Sequence, residues 1–330
     1  KQAAIDSNYD ESLLKEENVY ILLSEVKGQN RQARALVGMG YEYLKDFNFM
    51  AGASKQGKLT ALSPIDPVLG WGVSKKETGI DGAKIYGDIE TAHYKIAIVG
   101  GSVAESCYYS WKTWPEILYE KLIEKGENVA IISGGVIGYT SSKVLLKFVR
   151  DILPYKPDVL IDYNVILNDV GYGLTNDTPC ITGYQRKMMS RVNKKINDIY
   201  REQLVVECAW GNQRKKDAVK VFSDNVRALR AICQEFDINY LCILHPNIYT
   251  KKLCSYKEKE LYQVCSKHHI DNSVIFYERF EEEIRLHNMD YIIDGRNWMD
   301  EYVDIYYDYC HMYEDGNSVI ADRVLKLLEK

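Results

Sequence analysis

Residues 95–106 read KIAIVGGSVAES. The run from Ile96 to Val99 is apolar without alternation, which predicts a strand covered on both faces. Gly100 and Gly101 allow a sharp turn directly after it. The turn presents Ser102 at a strand's carboxyl end, where open α/β sheets bind ligands. A serine in that place serves as a nucleophile, a phosphate contact or a helix N-cap, and this segment alone does not choose among them.

A second stretch, residues 306–329, reads YYDYCHMYEDGNSVIADRVLKLLE. Asp308 and His311 stand three residues apart, ahead of an amphipathic helix with Val319, Ile320, Val324, Leu327 and Leu328. A nucleophilic serine needs a base to take its proton and a carboxylate to hold that base in one tautomer. One short Asp-x-x-His turn supplies both. Two further predicted strands end in polar turns. Residues 129–142 read VAIISGGVIGYTSS, and residues 157–171 read PDVLIDYNVILNDVG. An acyl-transfer site must hold an oxyanion with turn N–H groups or a side-chain amide. Gly138 and Asn168 are candidates for these donors; each is equally a turn residue when taken singly.

The four segments, in this order, resemble the SGNH (GDSL-like) hydrolase family. Residue by residue, the resemblance implies Ser102 as nucleophile, Asp308 and His311 as its partners, and an oxyanion hole of Ser102, Gly138 and Asn168. It covers roughly residues 70–330 and is nearest a branch with GGS in the first block. Leu69-Gly70-Trp71 and Thr113-Trp114-Pro115, with Leu118 and Leu122, fit that branch as well. Gly101 stands where the family name has Asp, Ile166 where Gly is common, and Met312 where Pro is common. The implied activity is a serine esterase acting on O-acyl, chiefly O-acetyl, esters of a carbohydrate. The same residues serve an O-acyltransferase that passes the acyl group to a sugar hydroxyl. A non-catalytic carbohydrate-binding protein of this fold is the third reading. Tyr108, Trp111 and Tyr139 lie near the expected nucleophile and are expected to contact substrate. The chain has 26 Tyr and 5 Trp but only 7 Phe, and ring faces with polar tips suit sugars.

The expected fold is α/β: a doubly wound, mostly parallel sheet flanked by helices, flavodoxin-like, in three layers. Strands are expected near 95–100, 128–133, 157–165 and 239–245, with helices near 113–125, 141–152, 217–236, 257–268 and 316–329. Residues 1–63 read as a helical appendage and linker, and 64–330 as the catalytic domain with an insertion at 171–216. Two other readings fit poorly. The first turn lacks the third glycine of a dinucleotide fingerprint, and Ala104 breaks the G-x-S-x-G elbow of α/β-hydrolases.

Composition narrows the partners. Of 330 residues, 46% are hydrophobic and 27% charged, with a net charge of −5. No basic footprint for nucleic acid is present, and no segment is long and apolar enough to span a bilayer. The eight cysteines show no metal-ligand spacing, so neither a metal nor an organic cofactor is expected. Their disulfide state, the oligomeric state and the compartment stay open. The resemblance points to an extracytoplasmic or membrane-anchored protein held by a segment upstream of Lys1.

Overall fold

The computed structural model describes residues 51–53, 59–62, 65–66, 69–71, 82–105, 112–136, 138–164, 166–173, 217–253 and 255–329. The expected amino-terminal helices, most of the 171–216 insertion, and Tyr108 and Trp111 lie outside the described residues. Described residues from Ala83 onward form one compact unit. Ahead of Gly82, in another unit, Ala51–Ala53 pairs antiparallel with Leu59–Leu62, and Ile65–Asp66 with Gly70–Trp71.

The larger unit is built on six strands: β1 Lys84–Tyr86, β2 Tyr94–Gly100, β3 Val129–Ser133, β4 Val159–Tyr163, β5 Asn239–Leu244 and β6 Ile292–Asp294. Their order across the sheet is β6-β5-β4-β2-β3-β1. All neighbours are parallel except β1, which runs antiparallel to β3 at one edge. From β2 the chain steps to β3 on one side and returns to β4 on the other. That reversal is the switch point of a doubly wound sheet, and ligands bind at the strand carboxyl ends beside it. The expected fold is the one observed. The strand pair β1 and β6 was not foreseen from the sequence.

Helices cover both faces, which is why the central strands are apolar runs rather than alternating ones. On one face α2 (Trp114–Glu124) packs against α8 (Glu314–Leu328). There Ile96, Ile98, Ile131 and Ile161 meet Trp114, Leu118, Ile320 and Val324 in one buried cluster. Thr113 caps α2 by accepting from the Glu116 N–H, and Pro115 occupies its first turn. On the other face lie α3 (Ser141–Lys147), α4 (Ile166–Gly173), α5 (Ala218–Glu235) and α7 (Lys267–His287). Phe222 of α5 meets Phe276 and Phe280 of α7 edge-on, with ring centroids 5.6 and 4.9 Å away. Two further α-helices among the described residues are short, α1 (Ser102–Glu105) and α6 (Tyr256–Gln263). The helix expected near 257–268 is thus α6 followed by the start of the much longer α7.

Asp162, the fourth residue of β4, is a polar group beneath the second face; it is buried and accepts a hydrogen bond from the Tyr240 hydroxyl at 2.9 Å. Burial pushes its carboxyl up to about 7, against the hydrogen bonds from Tyr240 and Cys242. An unfolded Asp titrates near ~3.9. Between about pH 4 and pH 7 the folded chain therefore holds a proton that the unfolded chain has released, and this term of stability declines as pH rises. Asp162→Asn removes the titration. Thermal unfolding measured across that window should show a shallower decline with pH in the variant than in the wild type. Equal slopes would count against the assignment.

Candidate active site

Ser102 opens α1 immediately after β2, because Gly100 takes a backbone angle of φ +151° that L side chains rarely adopt. A Cβ at residue 100 would sit 2.4 Å from the Tyr163 carbonyl oxygen and 2.8 Å from the Ala104 Cβ. Only glycine lets β2 end that close to β4 and still turn. The Trp114 indole N–H donates to the Val103 carbonyl at 3.1 Å, tying α1 to the start of α2.

The other half of the site comes from the loop between β6 and α8. That loop folds back on itself: Tyr313 N–H donates to Ile305 O at 2.8 Å, Tyr306 bridges Met312, and Tyr307 N–H donates to His311 O at 3.1 Å. Within it, Asp308 Oδ1 accepts from the N–H groups of Cys310 (2.9 Å) and His311 (2.7 Å). Its Oδ2 lies 2.7 Å from His311 Nδ1. Burial opposes the Asp308 charge, but attraction to His311 and these hydrogen bonds prevail and hold its carboxyl below the usual range. An ionised carboxylate only accepts, so the proton is on Nδ1 and His311 Nε2 offers its lone pair. That atom lies 2.7 Å from Ser102 Oγ, across 209 residues of sequence. Tyr307 stacks on the imidazole, with centroids 5.7 Å apart and planes 10° from parallel.

Asn168 stands in the first turns of α4 and lines a pocket together with Gly101, Ser102 and Leu167. One of its amide protons goes to the Tyr139 carbonyl at 2.9 Å, leaving the second. Gly138, at φ +66°, belongs to a turn closed by Tyr139 N–H to Val136 O at 3.2 Å. It is not among the lining residues of this pocket. Tyr139 departs from the expected substrate contact: its side chain is fully buried and covered by Lys143, whose Nζ lies 5.4 Å from the ring centre. It serves the site through its carbonyl. Asp169 is a brace, accepting from the Ser141 N–H and hydroxyl at 2.8 Å each. It thereby caps α3 from a neighbouring helix, and burial pushes its carboxyl up to about 7.

Several pocket residues, His245 and Cys310 among them, were not foreseen as site residues. His245 follows β5 and is buried against the pocket, and Cys310 lines it from the Asp308 turn. The signal for His245 was present, since it falls at the carboxyl end of an expected strand. The Cys310 thiol lies 3.5 Å from His311 Nδ1, and burial raises it well above the ordinary thiol range, which keeps it protonated and unreactive. Asp308, Cys310 and His311 offer three donor atoms within 4.8 Å of one another. A metal could take them only by breaking the Asp308–His311 bond and deprotonating that thiol.

No protein-family model and no curated protein sequence matches the chain. Among solved structures it is similar to an acetyl xylan esterase, AlAXEase, at 16% identity, over 71% of this chain and 99% of that one, with a TM-score of 0.46. It is also similar to Axe2, an acetylxylan esterase from Geobacillus stearothermophilus, at 11% identity, 71% and 94% coverage and a TM-score of 0.44. A GDSL-like lipase from Bacteroides thetaiotaomicron gives 11% identity, 71% and 87% coverage and a TM-score of 0.40. Similarity this distant transfers no activity, and the site geometry stands by itself.

The tight approach at residue 100 is directly testable. Gly100→Ala must displace either β4 or α1, a strain of about 2–4 kcal/mol. Denaturant unfolding should show that loss. Wild-type stability in the variant would mean that the β2 turn tolerates a side chain.

Proposed function

We propose that this chain is a serine esterase that hydrolyses short O-acyl esters, with O-acetylated carbohydrate as its substrate class. The observation that carries the reading is the continuous relay from Ser102 Oγ through His311 to Asp308, with both links at 2.7 Å. Ser102 Oγ attacks the ester carbonyl carbon as its proton passes to His311 Nε2. The negative oxygen that forms is held by the Ser102 N–H and the second amide proton of Asn168. Gly138 contributes by shaping the turn that aims the Tyr139 carbonyl at that amide. His311 then returns the proton to the departing alcohol oxygen, leaving an acyl group on Ser102. Water repeats the sequence, releases the acid and restores the serine. Asp308 keeps the imidazole in the Nδ1–H tautomer and steadies it when charged; it does not itself take the proton.

The substrate class rests on the walls. Gly101, Ser102, Asn164, Asn168, His245 and Cys310 form most of the pocket, with Val103 and Leu167 as its larger apolar members. The little space they enclose suits an acetyl group better than a long acyl chain. Tyr307, Tyr309 and Tyr313 are half-buried in the same loop as His311, and ring edges of this kind suit sugar hydroxyls and faces.

A serine-directed fluorophosphonate should label Ser102 in the wild type and leave Ser102→Ala unlabelled. p-Nitrophenyl esters of rising chain length, run beside acetylated glycans, should show a preference for acetyl and release of acetate. Ester hydrolysis surviving in Ser102→Ala would refute the mechanism. Preference for long acyl chains with no acetate from any glycan would refute the substrate class.

Asn168→Ala separates two roles. Losing one oxyanion donor typically costs about 100- to 1000-fold in turnover. The fall should appear in kcat with KM little changed, because the bond matters in the transition state. A change confined to KM would make Asn168 a ground-state contact.

A further inference from the structure

At the end of β5 the chain continues as His245-Pro246-Asn247. The His245 ring is 2% exposed and forms pocket wall beside Ser102 and Cys310. Its Nδ1 lies 3.0 Å from the Pro246 carbonyl oxygen. A carbonyl can only accept, so the proton sits on Nδ1 and Nε2 presents a lone pair. Among the described residues, no group donates to that atom. Burial is the main force keeping the imidazole uncharged, aided by repulsion from nearby His311 and opposed by Pro246; together they lower it to about 4.

The ring is also fixed in place. Asn247 donates to the Tyr277 hydroxyl at 3.0 Å and accepts from the Tyr249 N–H at 3.0 Å, holding the turn that carries His245. Tyr163 lies over the imidazole with centroids 5.7 Å apart. His245 is therefore a rigid acceptor in the wall of the pocket that Ser102 also lines. It has no proton to offer an oxyanion, so its use must lie with a group that brings a hydrogen.

Water and a simple alcohol differ in this respect. Each must give one hydrogen to His311 Nε2 when it attacks the acyl group. Water has a second hydrogen to place; a monohydric alcohol has none. We propose that His245 Nε2 accepts the second hydrogen of the attacking water and so commits the acyl-serine to hydrolysis rather than transfer. This rests on the esterase reading above. In the step, the water oxygen bonds to the acyl carbon while one of its protons passes to His311 Nε2. The bond from that carbon to Ser102 Oγ then breaks, and Oγ takes the proton back from His311. His245 holds the other hydrogen throughout and exchanges none. An alcohol in the same position leaves a buried acceptor unsatisfied, a handicap of about 10- to 100-fold.

The test follows p-nitrophenyl acetate turnover by the full chain with methanol added, measuring acetate against methyl acetate and the initial burst of p-nitrophenolate. The wild type should make less methyl acetate than the methanol-to-water ratio predicts. His245→Phe removes the acceptor and keeps a ring; it should raise the methyl acetate share about 10-fold or more. His245→Gln restores an acceptor and should return the product ratio toward that of the wild type. A wild-type ratio at or above the statistical value overturns the proposal without recourse to any variant. So does an unchanged ratio in His245→Phe. Absence of both burst and fluorophosphonate labelling in the wild type would instead sink the esterase reading, and this inference with it.

Discussion

Strands β2 and β4 run side by side to their carboxyl ends, and there the space beside residue 100 holds no side chain. A first carbon in that space would lie 2.4 Å from the Tyr163 carbonyl oxygen. Because Gly100 leaves it empty, β2 keeps its pairing up to the last residue and still reverses direction at Ser102. Everything at this edge is placed relative to that turn. Asn164 continues β4 and starts α4 by accepting the Ile166 N–H at 3.0 Å, which puts Asn168 on the first turns of a helix facing Ser102. His245 arrives the same way from the end of β5. Parallel strands of one sheet deliver four side chains to one edge, and register rather than local sequence decides that they meet.

The loop that brings Asp308 and His311 has no strand to aim it and is held by cross-ties. Ile248 N–H donates to the Tyr309 carbonyl at 2.8 Å, and the Tyr249 and Tyr309 rings stack with centroids 5.6 Å apart. His269 of α7 joins the Tyr249 hydroxyl (2.9 Å) to the Leu167 carbonyl of α4 (3.2 Å). Below these lies a fully buried ion pair, Lys251 with Glu258 at 3.0 Å. Glu258 also accepts the Ser255 and Asp304 N–H groups, at 3.3 and 3.2 Å. Such a pair gains little net stability over apolar packing, yet losing one partner would strand a buried charge. Its value here is positional, since it joins the segment after β5 to the one leading into Asp308.

Three buried or half-buried aspartates show how partners set the charge. Asp308 receives two backbone N–H groups and an imidazole and is held ionised. Asp169 receives an N–H and a hydroxyl from one serine, and Asp162 a phenol; burial outweighs both sets and pushes each carboxyl up to about 7. Of these three, Asp308 alone has an environment that keeps a carboxylate ionised beside an imidazole.

The amino-acid sequence determined the layers and the motif. Uninterrupted apolar runs at 96–99, 129–132 and 159–161 predict strands covered on both faces, and the 3.6-residue stripes of α5 and α8 supplied the cover. Ser102 was legible as a candidate because it follows such a strand, and Asp308 with His311 because their Asp-x-x-His spacing precedes the α8 stripe. Strands β1 and β6 were not, since three residues carry too little periodicity to register against their surroundings. The orientation of Tyr139 was not legible, because a position after a glycine turn says nothing about which way the ring faces, and the ring packs inward under Lys143. His245 was passed over for the converse reason: a lone histidine after a strand acquires meaning only from the pocket beside it. The 2.7 Å contact between Ser102 and His311 belongs to neither segment's local chemistry. It exists because the sheet register and the Asp308 turn bring together atoms that the chain keeps far apart.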